Sequence, residues 1–134
     1  RSPAYPSIVG GGENGCILHY IENSAKLKSN ELLLIDAGAE FECYAGDITR
    51  TFPVNGKFTT AQAAVYQIVL NAQKAAIAAV KPGNHWNQPH EAAVEVLTQG
   101  LVELGILNGN VDQLIATHLP PGRGHVRGVR FRSL

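Results

Sequence analysis

At 134 residues, with 45% hydrophobic and 16% charged side chains, the chain is long enough for one buried core and too short for two. A formal net charge of zero argues against a strongly basic nucleic-acid binder, and no apolar run approaches the ~20 residues that span a bilayer. The charge is unevenly spread: residues 1–116 hold seven Lys/Arg against all eleven Asp/Glu, whereas residues 117–134 hold Arg123, Arg127, Arg130 and Arg132 and no acid.

Residues 1–6 lack the apolar centre of a signal peptide, and the first residue is Arg1 rather than Met, so a cut start and a cytoplasmic protein are expected. Cys16 and Cys43 have no metal-type spacing and are expected as reduced thiols. Residues 7–15 (Ser-Ile-Val-Gly-Gly-Gly-Glu-Asn-Gly) form a glycine-rich loop. No lysine follows and no helix pattern opens there, so tight backbone paths explain it better than a phosphate cradle. Residues 16–21 (Cys-Ile-Leu-His-Tyr-Ile) read as a β-strand carrying His19, and a histidine in such a run is usually a hydrogen-bonded structural residue. Residues 22–30 read as a polar connection.

The stretch that organises the chain comes next. Residues 32–35 (Leu-Leu-Leu-Ile) are apolar on both faces, as in a strand covered on both sides, and they deliver Asp36 at their end before Ala37 and Gly38. Phe41, Cys43 and Ala45 alternate with Glu40, Glu42 and Tyr44, which suits a second strand. From Asp47 a further alternation sets Asp47, Thr49 and Thr51 against Ile48, Arg50 and Phe52, until Pro53 and the Asn55-Gly56 turn end it. A carboxylate at the end of a buried strand is costly unless it is paired or binds a metal. Taken singly, Asp36 reads as a turn former and Asp47 as a surface partner for Arg50. Taken together, on neighbouring strands, they read as half of a metal site. Hard oxygen ligands favour Mn²⁺, Mg²⁺ or Ca²⁺, with Zn²⁺ or Co²⁺ open if a histidine joins them.

Thr59 and Thr60 cap a long helix with Ala61, Val65, Ile68, Val69, Ala72, Ala76 and Ala79 on one stripe, stopped by Lys81-Pro82-Gly83. Asn87 is the expected N-cap of a second helix, with Pro89 in its first turn, Ala93, Val94, Leu97, Leu101 and Leu104 on its apolar face, and Gly105 as its stop. His90-Glu91 starts like a zinc-protease helix motif, but Val94 stands where the second histidine belongs, so that reading is rejected. Asn110 opens a short third helix through Ala116.

Three segments carry a family resemblance: residues 14–20 (Asn-Gly-Cys-Ile-Leu-His-Tyr), residues 34–38 (Leu-Ile-Asp-Ala-Gly) and residues 44–56 (Tyr-Ala-Gly-Asp-Ile-Thr-Arg-Thr-Phe-Pro-Val-Asn-Gly). They closely resemble the bacterial Xaa-Pro aminopeptidase (aminopeptidase P) family, and the likeness extends over residues 4–116. It implies an α+β, pita-bread fold, shared with methionine aminopeptidases, prolidases and creatinase: here a partial domain, an antiparallel sheet covered by helices. It also implies a dinuclear, usually Mn²⁺-dependent peptidase that removes an N-terminal residue preceding proline. The implied partners are peptides with proline in the second position, and neither nucleic acid nor a membrane; the intact enzyme is implied to be a homo-oligomer. Asp36 matches the ligand that chelates one metal, Asp47 the carboxylate that bridges both, and His19 a histidine near the substrate that assists binding and proton transfer.

The family completes its site with one histidine and two glutamates further along. No acidic residue follows Asp112, and residues 117–134 do not match the family pattern. The expectation is therefore the first half of a catalytic domain over residues 1–116, followed by a basic tail of frame-shifted or vector origin. Weak or absent dinuclear metal binding and little peptidase activity are expected of this stretch alone.

Overall fold

The computed structural model describes residues 2–118, which fall into two compact units. The first reaches Ala63 and contains every strand; the second begins at Ala64. The strands are β1 (Ser2–Pro3), β2 (Ile8–Gly11), β3 (Leu32–Ala37), β4 (Ala39–Phe41), β5 (Tyr44–Ala45) and β6 (Ile48–Pro53). They form two three-stranded antiparallel sheets rather than the single sheet expected, ordered β1-β4-β5 and β2-β3-β6.

β3 is the central strand of its sheet, as its apolar run dictates. It sets Ile8 and Thr49 on either side of Asp36, and Thr51 opposite Leu34. Because strand side chains alternate between faces, Leu34, Asp36, Thr49 and Thr51 share one face. Ile8, Leu34 and Tyr20 cluster as the core of this unit. Thr51 is only 3% exposed, so the threonine side of β6 lies inward while Ile48 and Phe52 lie on the exposed side.

Three further expectations of the first unit are corrected. Residues 7–15 are not a loop throughout, since Ile8–Gly11 form β2 and a 3-10 helix follows. Residues 16–21 are not a strand: Gly12–Cys16 form a 3-10 helix, and the loop beyond it holds His19 at φ 55°. The outer edge of β2 is taken by the Asn23 amide, whose oxygen accepts from the Val9 N–H at 2.7 Å while its NH₂ donates to the Ser7 carbonyl at 2.9 Å. With those strand-edge groups satisfied by a side chain, the apolar run has no ladder to join there. Likewise, residues 41–45 are not one strand but a hairpin. Phe41 sits directly opposite Tyr44, and the two-residue turn between them places Glu42 and Cys43 at φ 51° and 71°. Both central residues are left-handed, as a type I′ turn requires, although neither is the usual Asn or Gly. The Glu40 carboxylate accepts from the Cys43 N–H at 2.7 Å and steadies the turn.

The helices follow their caps closely. In α1 (Thr60–Ala79) the Thr59 hydroxyl accepts from the Gln62 N–H at 3.2 Å, and the Gln62 side chain accepts from the Thr59 N–H at 2.9 Å, a complete capping box. The α1 carbonyl of Ala79 is met by the Asn84 side chain at 2.8 Å. At the start of α2 (Gln88–Glu103) Asn87 holds the cap position without a capping side-chain bond; the Gln88 side chain instead accepts from the His85 N–H at 2.6 Å. α2 ends in a Schellman motif: the Ile106 N–H donates to the Leu101 carbonyl and the Gly105 N–H to the Val102 carbonyl, with Gly105 at φ 69°. α3 spans Val111–His118, two residues beyond its expected end and into the expected tail, the rest of which lies outside the described residues. In the second unit Gly100 of α2 lies against Ile68 of α1, where a β-carbon would come within 2.6 Å of the isoleucine. The absence of a side chain at Gly100 thus lets α1 and α2 approach at that point.

Candidate metal centre

Asp36 stands near the end of β3, and Asp47 immediately precedes β6. The register that sets Asp36 opposite Thr49 places Asp47 two positions further along the same face, a diagonal neighbour. Both carboxylates therefore reach one region. The Tyr5 hydroxyl marks it, lying 2.6 Å from Asp36 Oδ1 and 3.0 Å from Asp47 Oδ1.

Tyr5 carries no motif and was not anticipated from the sequence. It arrives between Pro3 and Pro6 on an N-terminal segment anchored well away in sequence: β1 pairs with β4, and the Ala4 N–H donates to the Gly38 carbonyl at 2.9 Å. Only the general requirement that two converging carboxylates need a donor between them pointed toward such a residue. Burial, then the hydrogen bonds to Asp36 and Asp47, then their negative charges, hold the Tyr5 hydroxyl protonated far above the ordinary tyrosine value of 10.0. It remains a neutral donor.

Neither aspartate behaves as a simple turn former or surface ion-pair partner. Asp36 is half-buried inside a ladder, and Arg50, on the opposite face from Asp47, donates to the Thr49 carbonyl at 2.8 Å. His19 lies exposed on the loop after the 3-10 helix. Among the described residues no group of three or more His, Cys, Asp or Glu side chains is placed to hold a metal ion, so neither His19 nor any other joins the aspartates as a third ligand. Cys16 and Cys43 are free and exposed, as expected.

The donor set fits a divalent cation in part. Two carboxylate oxygens converge within reach of a single hydroxyl, and cations of the hard class take oxygen ligands at about 2.0–2.6 Å. Such a cation needs more ligands than these two aspartates supply.

Carboxylates converging on an antiparallel α+β frame can help hold the divalent ion of a metal-dependent hydrolase. The comparisons specify the family: the chain belongs to metallopeptidase family M24, whose model matches residues 1–133. It is 58% identical over 115 residues to a Xaa-Pro aminopeptidase of Haemophilus influenzae, covering 86% of this chain and 27% of that protein. With the Xaa-Pro aminopeptidase of Escherichia coli it shares 53% identity over 116 residues, 87% of this chain and 26% of that protein. Among solved structures, Pseudomonas aeruginosa aminopeptidase PepP superposes with a TM-score of 0.85 at 58% identity, over 87% of this chain and 26% of its own. Zinc-substituted E. coli aminopeptidase P in complex with product superposes at 0.83 and 52% identity, over 90% of this chain and 28% of its own. The expected pita-bread architecture is therefore the fold of this chain, present in part, and the chain spans about a quarter of the length of the curated relatives it matches.

Proposed function

We propose that the chain is the opening part of the catalytic domain of a Xaa-Pro aminopeptidase, with Mn²⁺ as its metal and peptides carrying proline in the second position as its substrates. The observation that carries this reading is the convergence of Asp36 and Asp47 on the single Tyr5 hydroxyl. In this reading Asp36 and Asp47 would both hold the metal centre, Asp47 as the carboxylate the two ions share, and His19 would serve the substrate and the proton that its cleavage moves. When bound, the metals supply Lewis acidity toward the scissile carbonyl and lower the pKa of water. The names of the relatives favour Xaa-Pro peptides over the substrates of prolidases or methionine aminopeptidases. The further ligands belong to sequence beyond the two aspartates, so the 134-residue chain by itself is assigned little peptidase activity. A cytoplasmic, homo-oligomeric parent enzyme completes the reading; among the described residues no helix is long and apolar enough to cross a membrane.

The test is a graft. Residues 2–56 replace the matching segment of the H. influenzae relative, and hydrolysis of an Xaa-Pro peptide is followed with Mn²⁺ present. The graft is expected to be active, and Asp36→Asn or Asp47→Asn within it to lower kcat/KM by at least about a hundredfold, the loss of charge stabilisation at the metal being worth several kcal/mol. A graft whose Asp47→Asn form stays fully active overturns the assignment.

A second reading, protein association without catalysis, is favoured by one observation. Ile48 and Phe52 are 59% and 49% exposed on β6, an edge strand of its sheet among the described residues. Concentration-dependent sedimentation of the 134-residue chain distinguishes it.

A further inference from the structure

We propose that Tyr5 is a positioning residue for the metal centre: its hydroxyl keeps Asp36 and Asp47 converged on one point before any cation arrives. The proposal rests on the assignment of the two aspartates as metal ligands, but its central claim concerns the metal-free chain. Two carboxylates of like charge brought to one face repel, and a bare pair would turn apart toward water. A neutral donor between them removes that tendency without occupying their remaining oxygens.

Three features support Tyr5 as that donor. Its position is set by backbone, not by the carboxylates: β1 is laddered to β4 through Ser2↔Glu40 and Pro3↔Ala39, and the Ala4 N–H is bonded to the Gly38 carbonyl. Its ring lies against Gly38, with a ring carbon 3.2 Å from where a β-carbon would stand, between the positions that carry Asp36 and Asp47. Its two contacts are unequal, 2.6 Å to Asp36 and 3.0 Å to Asp47. One phenol carries one hydrogen, so Asp36 takes the stronger bond and Asp47 keeps more freedom to turn toward an arriving ion. Partners of this kind behind metal ligands typically change metal affinity by about ten- to a hundredfold.

The test uses the 134-residue chain with carbon-13-labelled aspartate, and Asp36→Asn and Asp47→Asn forms to assign the two carboxyl signals. Without metal, Tyr5→Phe is expected to move both signals, Asp36 further than Asp47, while that of Asp112 stays put. Movement of neither signal, or of Asp47 alone, overturns the proposal. So does collapse of the amide spectrum in Tyr5→Phe, since the hydroxyl would then be holding the fold and not the ligands. Titration with Mn²⁺ forms the second arm. Tyr5→Phe is expected to weaken uptake about tenfold or more at an unchanged thermal midpoint, and unchanged affinity in a chain that does bind Mn²⁺ overturns the proposal. If the chain takes up Mn²⁺ equally well as Asp47→Asn, the metal assignment falls instead; if it takes up none, as its incomplete ligand set allows, the carboxyl signals alone decide the role of Tyr5.

Discussion

Gly38 faces the carbonyl of Gly46 so closely that a methyl group on Gly38 would run into the carbonyl oxygen. The obstacle is main chain on both sides, at the point where the strand bearing Asp36 passes the one leading to Asp47, so no rotamer change relieves it. Gly38→Ala is therefore expected to destabilise the first unit by about 3 kcal/mol or more, at the upper end of overpacking effects. A urea unfolding midpoint lower by the corresponding amount checks this; a change under ~0.5 kcal/mol, the usual range for an unconstrained surface site, refutes it.

Gly105 raises a different issue, since nothing lies within 4 Å of where its β-carbon would stand and only its φ of 69° is demanding. Gly105→Ala is expected to cost about 1–2 kcal/mol, the strain of a β-carbon in the left-handed region. Thermal unfolding should show that loss while the native far-UV signal is retained, because the motif ends α2 without being its main support.

The Glu42-Cys43 turn offers a gain. Both residues are left-handed, at φ 51° and 71°, and Cys43→Gly removes a side chain from a conformation that disfavours it. A stabilisation of roughly 0.5–1 kcal/mol is expected, with Cys43→Val moving the midpoint the other way because a β-branched residue suits positive φ worst. Equal midpoints for the two variants would contradict the turn assignment.

Asn23 spends both ends of its amide on the edge of β2. Asn23→Ala leaves the Val9 N–H and the Ser7 carbonyl to water and should cost about 1–3 kcal/mol locally. Faster hydrogen exchange at the Val9 amide, with exchange at Leu34 little altered, is the expected pattern. The same variant frees the loop that carries His19, which links an edge bond to the candidate substrate residue.

Metal removal should leave the fold in place. The Tyr5 hydroxyl already stands between Asp36 and Asp47, and the strands that carry them are held by backbone ladders, unlike domains that unfold without their metal. A chelator is expected to leave the amide spectrum of the chain dispersed, and unfolding on chelation would show that the hydrogen bonds cannot hold the two strands alone.

The sequence disclosed most where physics is local. The stripe of α1, the stop at Gly105 and the cap at Thr59 depend on neighbours within a turn or two, and all are present. Asp36 stood out because a carboxylate at the end of an apolar run demands a reason, and Asp47 because it follows on the next strand; the structure brings the two to one hydroxyl. His19 was placed in a strand because its run has the composition of one; what overruled that composition is Asn23, whose hold on β2 cannot be read from residues 16–21. The Glu42-Cys43 hairpin was hidden because its turn lacks the usual Asn-Gly pair. Tyr5 was hidden because its partners lie 31 and 42 positions away, and nothing in Pro3-Ala4-Tyr5-Pro6 announces them.

The three groups that meet at the aspartate pair all precede Ile48, and the ladders that hold them are closed by Pro53. Chains emerge from the ribosome N-terminal side first. Wherever the parent protein begins and ends, every segment that brings Asp36 and Asp47 to Tyr5 is therefore synthesised ahead of everything after Pro53, and the pair needs no later part of the chain to meet.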